Sequence, residues 1–102
     1  MPPTTEQLRA FEGATRELIQ AISKEVYRPT YFIQLMASGG AYAAACQVVS
    51  SSNLPEGFQR LLQENKPELT IEYLVTRSEW ADLFEPEIIE AAHRRLAMFQ
   101  RE

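Results

Sequence analysis

The sequence has little of the residues on which most enzyme sites depend. It contains one cysteine, Cys46, and one histidine, His93. A lone cysteine excludes a disulfide within the chain and suits a reducing cytoplasm, so we expect a cytoplasmic protein. A catalytic pair of Cys46 and His93 is not favoured, because Cys46 follows three alanines and no residue nearby in sequence would lower its pKa.

The motifs that hold phosphate or activate a serine are also missing. Gly39 and Gly40 lack the further glycines and the lysine of a phosphate-binding loop. The spacing of Glu90 and His93 places a carboxylate and an imidazole on one helix face, as in di-iron bundles. Such bundles need a second pair, which only a second copy of the chain would supply. We therefore expect no enzyme, no cofactor and no metal site within one chain.

Basic residues are too few and too scattered for a typical nucleic-acid binder. Ten Lys and Arg face 14 Asp and Glu, which gives a net charge of −4. From Glu68 to Glu90, Arg77 is the single base among seven acids. DNA-binding proteins usually neutralise phosphates with clustered bases, and the overall field of this chain repels DNA and anionic lipid. Nucleic acid is therefore disfavoured as a partner, although a local basic face is left open.

The chain has the length and composition of one ordinary globular domain, which we expect to span residues 1–102. Apolar residues make up 45% and charged residues 24% of the 102 positions. The N-terminal residues show no basic segment followed by an apolar one, so no signal peptide is expected.

Apolar residues recur mostly at steps of three and four, which predicts helices. The longest is an amphipathic helix over 4–27, where Thr4 and Gln7 have capping-box spacing. Shorter helices are predicted at 31–37, 41–49, 55–65, 71–76 and from Pro86 onward. The sequence thus predicts an all-α fold, a compact bundle of about five or six mostly short helices, with 4–27 as the N-terminal helix and 29–100 as the helical core.

Several residues are predicted to cap these helices. Asn53 is expected to cap the helix that contains Pro55, Thr70 the helix at 71–76, and Ser78 a short turn. Residues 69–75 are the one segment with real strand potential.

The stretch over residues 31–55, YFIQLMASGGAYAAACQVVSSSNLP, contains no charged residue and no histidine. Its length approaches that of a membrane span, but its polar residues and many alanines disfavour that interpretation, and we expect no membrane partner. The preferred interpretation is a closely packed helix pair at the centre of the fold, broken at Gly39-Gly40, where charge would be costly to bury. A partner or self-association surface overlaps with this interpretation.

A DNA-reading module is the other alternative for this part of the chain. Residues 32–64 have the outline of a helix-turn-helix, in which alanines allow two helices to approach closely. The second helix would offer Gln59, Arg60 and Gln63 as base-reading residues.

Three large apolar residues close together, Trp80, Leu83 and Phe84, are most simply core anchors. Because exposed aromatic residues contribute strongly to protein interfaces, they are also candidate partner-binding residues, together with Tyr31 and Tyr42.

The segments YFIQLMASGGAYAAACQVV, EGFQRLL, PELTIEYLV, EWADLF and EIIEAAHRRL together resemble a family of small bacterial helical proteins of uncharacterised activity. The resemblance covers residues 27–96 and implies a bacterial or phage cytoplasmic origin. We therefore expect a non-enzymatic protein-interaction domain, accessory or regulatory in role, with a homodimer as one form of it. The alternative is the DNA-binding regulator built on 32–64.

Overall fold

The computed structural model describes residues 3–99, and the secondary structure in this range is helical, without a β-strand. The elements in chain order are α1 (Thr5–Glu25), α2 (Thr30–Ser50), α3 (Glu56–Glu64), α4 (Ile71–Val75) and α5 (Pro86–Leu96). Two short 3-10 turns, Pro67–Leu69 and Ser78–Trp80, lie on either side of α4. The predicted all-α bundle is confirmed.

Helix α1 is the predicted amphipathic helix, and its capping box is formed. The Gln7 amide donates to Thr4 Oγ1 at 3.1 Å, and the Thr4 amide donates to Gln7 Oε1 at 2.8 Å. The two bonds satisfy backbone groups that the first helical turn leaves unpaired. Phe11 and Ile22 lie on the buried face, and the helix ends at Glu25, two residues before the predicted end.

Helix α2 is broken at Gly40, close to the predicted break. Gly40 has φ 90° and ψ 166°, a backbone conformation that only glycine adopts readily. The Ala41 amide, which would start the second half of the helix unpaired, donates to Glu12 Oε1 at 3.1 Å. Ala44 and Ala45 are fully buried. The second half of α2 lies in the buried centre that was predicted for the charge-free stretch. In the first half Phe32 is the one buried residue, so the predicted helix pair is confirmed only in part.

Helix α3 begins differently from the prediction. Pro55 is its N-terminal boundary residue and makes no side-chain capping bond, so the predicted cap at Asn53 is wrong. The main-chain oxygen of Asn53 instead accepts a hydrogen bond from Ser51 Oγ at 2.9 Å, inside the loop. The helix ends at Glu64, and the next residue, Asn65, caps it in a left-handed conformation with φ 54°, in agreement with the predicted end around Asn65.

Thr70 caps α4 as predicted, since its Oγ1 accepts from the Tyr73 amide at 2.9 Å. The segment with strand potential is therefore helical. Ser78 does not cap the following 3-10 turn but is its first residue, after Arg77. Pro86 opens α5, as predicted.

The core has two parts. The larger contains an aromatic cluster, Phe11, Tyr42, Trp80 and Phe84. The ring centroid of Phe11 lies 5.3 Å from that of Trp80 and 5.1 Å from that of Phe84, and the ring of Tyr42 stacks on Phe84 at 5.1 Å. The smaller part consists of Ile22, Leu61 and Leu69, where the end of α1 meets α3 and the first 3-10 turn. The radius of gyration, 12.8 Å, is that expected for a compact domain of about 100 residues.

Helix α2 is the one described helix that is long and apolar enough to cross a membrane by length and composition. Its best window has a mean hydropathy of 1.3 and is 33% buried within the fold. The core helix of a globular domain meets the same criteria, so this is weak evidence. The expectation of no membrane partner stays a prediction.

Candidate functional site

A cavity of about 570 Å³ opens between the end of α1, the start of α2, helix α3 and the start of α4. Pockets that bind ligands usually have volumes of this order and mostly apolar walls. Here the apolar walls are formed mainly by Ile19, Ile22, Phe32, Phe58, Leu61 and Ile71. The site is thus a largely apolar cleft beside the smaller part of the core.

The turn between α1 and α2 shapes one wall of this cleft. It carries Tyr27, whose ring lies against the start of α3, with the Arg60 guanidinium 6.0 Å from the ring centroid. A Cβ atom at residue 57 would overlap the Tyr27 hydroxyl. Gly57 is therefore required for this close approach, and a larger residue there would push Tyr27 away.

The rim of the cleft carries an exposed aromatic residue and two opposite charges. Tyr31, at the start of α2, is 58% exposed. Arg28 and Glu56 are both exposed and both line the cleft, from the α1–α2 turn and from α3. Within residues 3–99, neither of them makes an ion pair shorter than 4.0 Å.

A buried ion pair between Glu72 and Arg95 stands at the inner side of the cleft. Glu72 lines the cleft, is 1% exposed, and accepts a hydrogen bond at Oε2 from Arg95 Nη1 at 2.9 Å. The same nitrogen donates to the Val48 oxygen at 2.8 Å, and Nη2 donates to the Ser51 oxygen at 2.6 Å. The guanidinium carbon also lies 5.9 Å from the Phe58 ring centroid. Arg95 therefore joins α5 to α4 and to the end of α2.

Burial dominates the acid–base properties of this site. Removal from water raises the pKa of the Glu72 carboxyl, and the hydrogen bond from Arg95 opposes this increase. Burial likewise raises the pKa of the Tyr27 phenol, against the effect of Arg60. A phenol with a raised pKa stays neutral near neutral pH.

The cleft lining combines apolar side chains with a few hydroxyl and carboxyl groups. Its lining residues include no histidine, cysteine, serine or lysine, and its polar groups come from Tyr27, Arg28, Thr30, Tyr31, Glu56, Thr70 and Glu72. The Glu72 carboxylate has acceptor positions beyond the one that Arg95 occupies, since a carboxylate offers about four. The arrangement favours an apolar group that carries a hydrogen-bond donor.

The predicted partner-binding residues divide between core and surface. Trp80, Leu83 and Phe84 are at most 8% exposed, so they serve as the core anchors of the preferred interpretation and offer no surface to a partner. Tyr42 is half-buried and stacks on Phe84. Tyr31 is the member of the set that stands exposed, and it lies at the cleft.

The predicted DNA-reading residues Gln59, Arg60 and Gln63 lie on α3, and all three are exposed. Gln59 Nε2 donates to the Leu54 oxygen at 3.0 Å, and Arg60 lies near Tyr27. Two of the three side chains thus have contacts within the fold. Nucleic-acid binding stays a prediction.

The residues considered for metal binding or nucleophilic chemistry are His93, Glu90 and Cys46. His93 and Glu90 are exposed on α5, and Glu90 pairs with Arg94 at 3.3 Å. Among residues 3–99, no group of three potential metal ligands comes together. Cys46 is half-buried, and burial raises the pKa of its thiol, which disfavours the reactive thiolate.

Neither the buried ion pair nor the cleft was among the features predicted from the sequence. A signal for Arg95 was present, because it lies three residues after Ala92 and four before Phe99, on the buried side of α5. Glu72 likewise stands among apolar residues that are buried, Ile71, Leu74 and Val75. The cleft has no such signal, because its walls come from four separate elements.

The fold and the cleft define an all-α domain with a largely apolar surface cleft. Comparisons with family models, with curated proteins and with solved structures found no match. The resemblance to small bacterial helical proteins, the bacterial origin and the cytoplasmic location therefore stay predictions.

Proposed function

We propose that this protein is a non-enzymatic protein-binding domain, accessory or regulatory in role. A bulky apolar side chain of the partner enters the cleft, and Tyr31 packs against the partner at the rim. The observation that supports this most directly is the combination of an unfilled cleft of about 570 Å³ with a tyrosine 58% exposed at its edge.

An open apolar cleft beside an exposed aromatic residue is the feature that favours protein binding. A domain of this size normally packs its interior densely, so an apolar cleft left open represents unrealised burial energy. Interfaces concentrate their binding energy in tyrosine, tryptophan and arginine that meet apolar pockets. The cleft provides the pocket, and Tyr31 with Arg28 provides residues of the favoured types beside it.

Selection from a random-peptide display library tests this proposal. We expect the enriched peptides to share a bulky aromatic or aliphatic residue. Thr30 lines the cleft as the first residue of α2, and Thr30→Trp should fill part of the cleft and abolish binding. Thr5→Trp is the matched control, because Thr5 is also an exposed first residue of a helix, on α1.

Two results would overturn the proposal. One is that no peptide is enriched on the wild-type domain. The other is that the selected peptides bind Thr30→Trp as well as they bind the wild type, with thermal melts showing both variants folded. Retained binding to Thr5→Trp together with lost binding to Thr30→Trp supports the cleft.

DNA binding by α3 is the second candidate, and the observation that favours it is the exposure of Gln59, Arg60 and Gln63 on one helix. Glu56 and Glu64 on the same helix oppose it through repulsion of phosphates. Fluorescence anisotropy with labelled duplex DNA at low salt tests this candidate. Absence of binding there ends it, because low salt is the condition that most favours binding to phosphates.

A further inference from the structure

The cleft and its rim together describe the chemistry of one occupant. We propose that the cleft receives Tyr31 from a second copy of this chain, while Tyr31 of the first copy enters the cleft of the second. This inference rests on the proposed function, because it identifies the partner of the same cleft.

The chemistry of a tyrosine side chain matches that of the cleft. A tyrosine has an apolar ring and a single hydroxyl that needs a partner when it is buried. The cleft has mostly apolar walls and, at its inner side, the buried Glu72 carboxylate. Arg95 donates to Oε2 of that carboxylate and the Glu72 main-chain amide also stabilises it, and since a carboxylate offers about four acceptor positions, a phenol hydroxyl can still donate to it.

Two-fold symmetry allows Tyr31 and the cleft to be used reciprocally by two copies of the chain. Tyr31 lines the cleft of its own chain but is 58% exposed, so most of its surface faces outward beside an unfilled space. In a two-fold dimer, each contact occurs twice, with the roles of the two chains exchanged. Because Tyr31 lies beside the cleft of its own chain, a two-fold axis at this place would bring each Tyr31 to the cleft of the other chain.

The charges at the rim of the cleft are complementary between two copies of the chain. Arg28 and Glu56 are exposed at the same rim, carry opposite charges, and make no ion pair among the described residues. A two-fold axis near Tyr31 lets Arg28 of each copy face Glu56 of the other. The net charge of −4 on each chain opposes association, so the local pairing also serves to offset this repulsion.

Sedimentation velocity from micromolar to millimolar protein tests the dimer. We expect the wild type to shift from monomer to dimer as the concentration rises. Tyr31→Ser should weaken the dimer roughly 30-fold or more, the loss of an interface hot spot. Tyr31→Phe keeps the ring but removes the donor, and it should weaken the dimer roughly tenfold.

Matched variants localise the contact. Tyr73→Ser removes another exposed tyrosine, on α4, and should leave the dimer unchanged. Arg28→Glu and Glu56→Arg should each weaken the dimer, and the two together should restore it, because the exchanged charges again pair across the axis. A wild type that stays monomeric, or a dimer that Tyr31→Ser leaves intact, overturns the inference. If the double variant does not regain the wild-type affinity for dimerisation, the inferred pairing of Arg28 with Glu56 across the axis is wrong.

A separate probe distinguishes this inference from the proposed function. 4-Methylphenol, the side chain of tyrosine, is titrated into Tyr31→Ser and followed by NMR shifts of residues at the cleft. If 4-methylphenol shifts only resonances at the cleft and the wild type is monomeric, the cleft still qualifies as a protein-binding site, but self-association is overturned. Absence of shifts together with a monomeric wild type contradicts both. Shifts at the cleft together with a dimer that depends on Tyr31 support both.

Discussion

The two parts of the core differ in how their apolar residues are used. In the closed region, the aromatic cluster packs edge to face and stacked, and small alanines of α2 let the helices approach it. In the open region, Ile22, Leu61 and Leu69 pack beside a cleft of about 570 Å³. Interiors are normally packed densely, so the closed region contributes most to stability, and the open region is where we propose that a partner binds.

The largest expected effect contrasts two phenylalanines. Phe11 is fully buried in the closed region, and Phe11→Ala should lower the free energy of unfolding by about 4 kcal/mol, because it leaves an enclosed void. Phe32 is also buried but lines the cleft, so Phe32→Ala enlarges an existing opening and should cost about 2 kcal/mol. Urea denaturation measures both. Both residues belong to the larger part of the core, and equal losses would show that the opening beside Phe32 does not reduce the cost of its removal.

The next effect concerns the ion pair that joins the two regions. Arg95→Ala leaves Glu72 as an unpaired buried charge and should destabilise the fold by about 3 kcal/mol. Arg94→Ala is the control, since Arg94 is exposed and its loss should change stability by no more than about 0.5 kcal/mol. Urea denaturation compares the two variants, and similar losses would contradict the role assigned to Arg95.

A smaller effect is expected at the break in α2, which separates the half that begins at the cleft with Thr30 from the half that contains the buried alanines. Gly40→Ala forces alanine into the conformation at φ 90° and should cost about 2 kcal/mol. At Gly39, which is helical, a Cβ would make an ordinary contact 3.6 Å from Ala43. Gly39→Ala should therefore raise stability by up to about 1 kcal/mol, and thermal denaturation distinguishes the pair.

The smallest effect is the pH dependence that Glu72 contributes. Because burial raises the pKa of its carboxyl, the folded chain holds this proton more tightly than the unfolded chain does. Its stabilising contribution is complete below the ordinary pKa of 4.5 and is lost as the pH rises through the higher folded value. Relative to Glu72→Gln, the wild type should lose stability over this window. A difference that stays constant with pH, measured by urea denaturation, would contradict the raised pKa.

Much of the fold could be predicted from local signals. The capping box of Thr4 and Gln7, the cap at Thr70 and the break near Gly40 each depend on residues a few positions apart. The cap predicted at Asn53 failed although its residue type was suitable, since the chain starts α3 only after Pro55. The candidate site could be predicted only in part: Tyr31 was among the candidate residues, whereas Glu72 and Arg95 were not.

The sequence by itself determined the helical class, the approximate helix limits and the buried centre in the charge-free stretch. These follow from apolar periodicity and from capping chemistry, which act over a few residues. Only the tertiary structure decided which large apolar residues are covered, that Arg95 reaches Glu72 23 positions away, and that four elements leave a cleft beside Tyr31. These depend on how helices distant in sequence pack, and no local pattern specifies that packing.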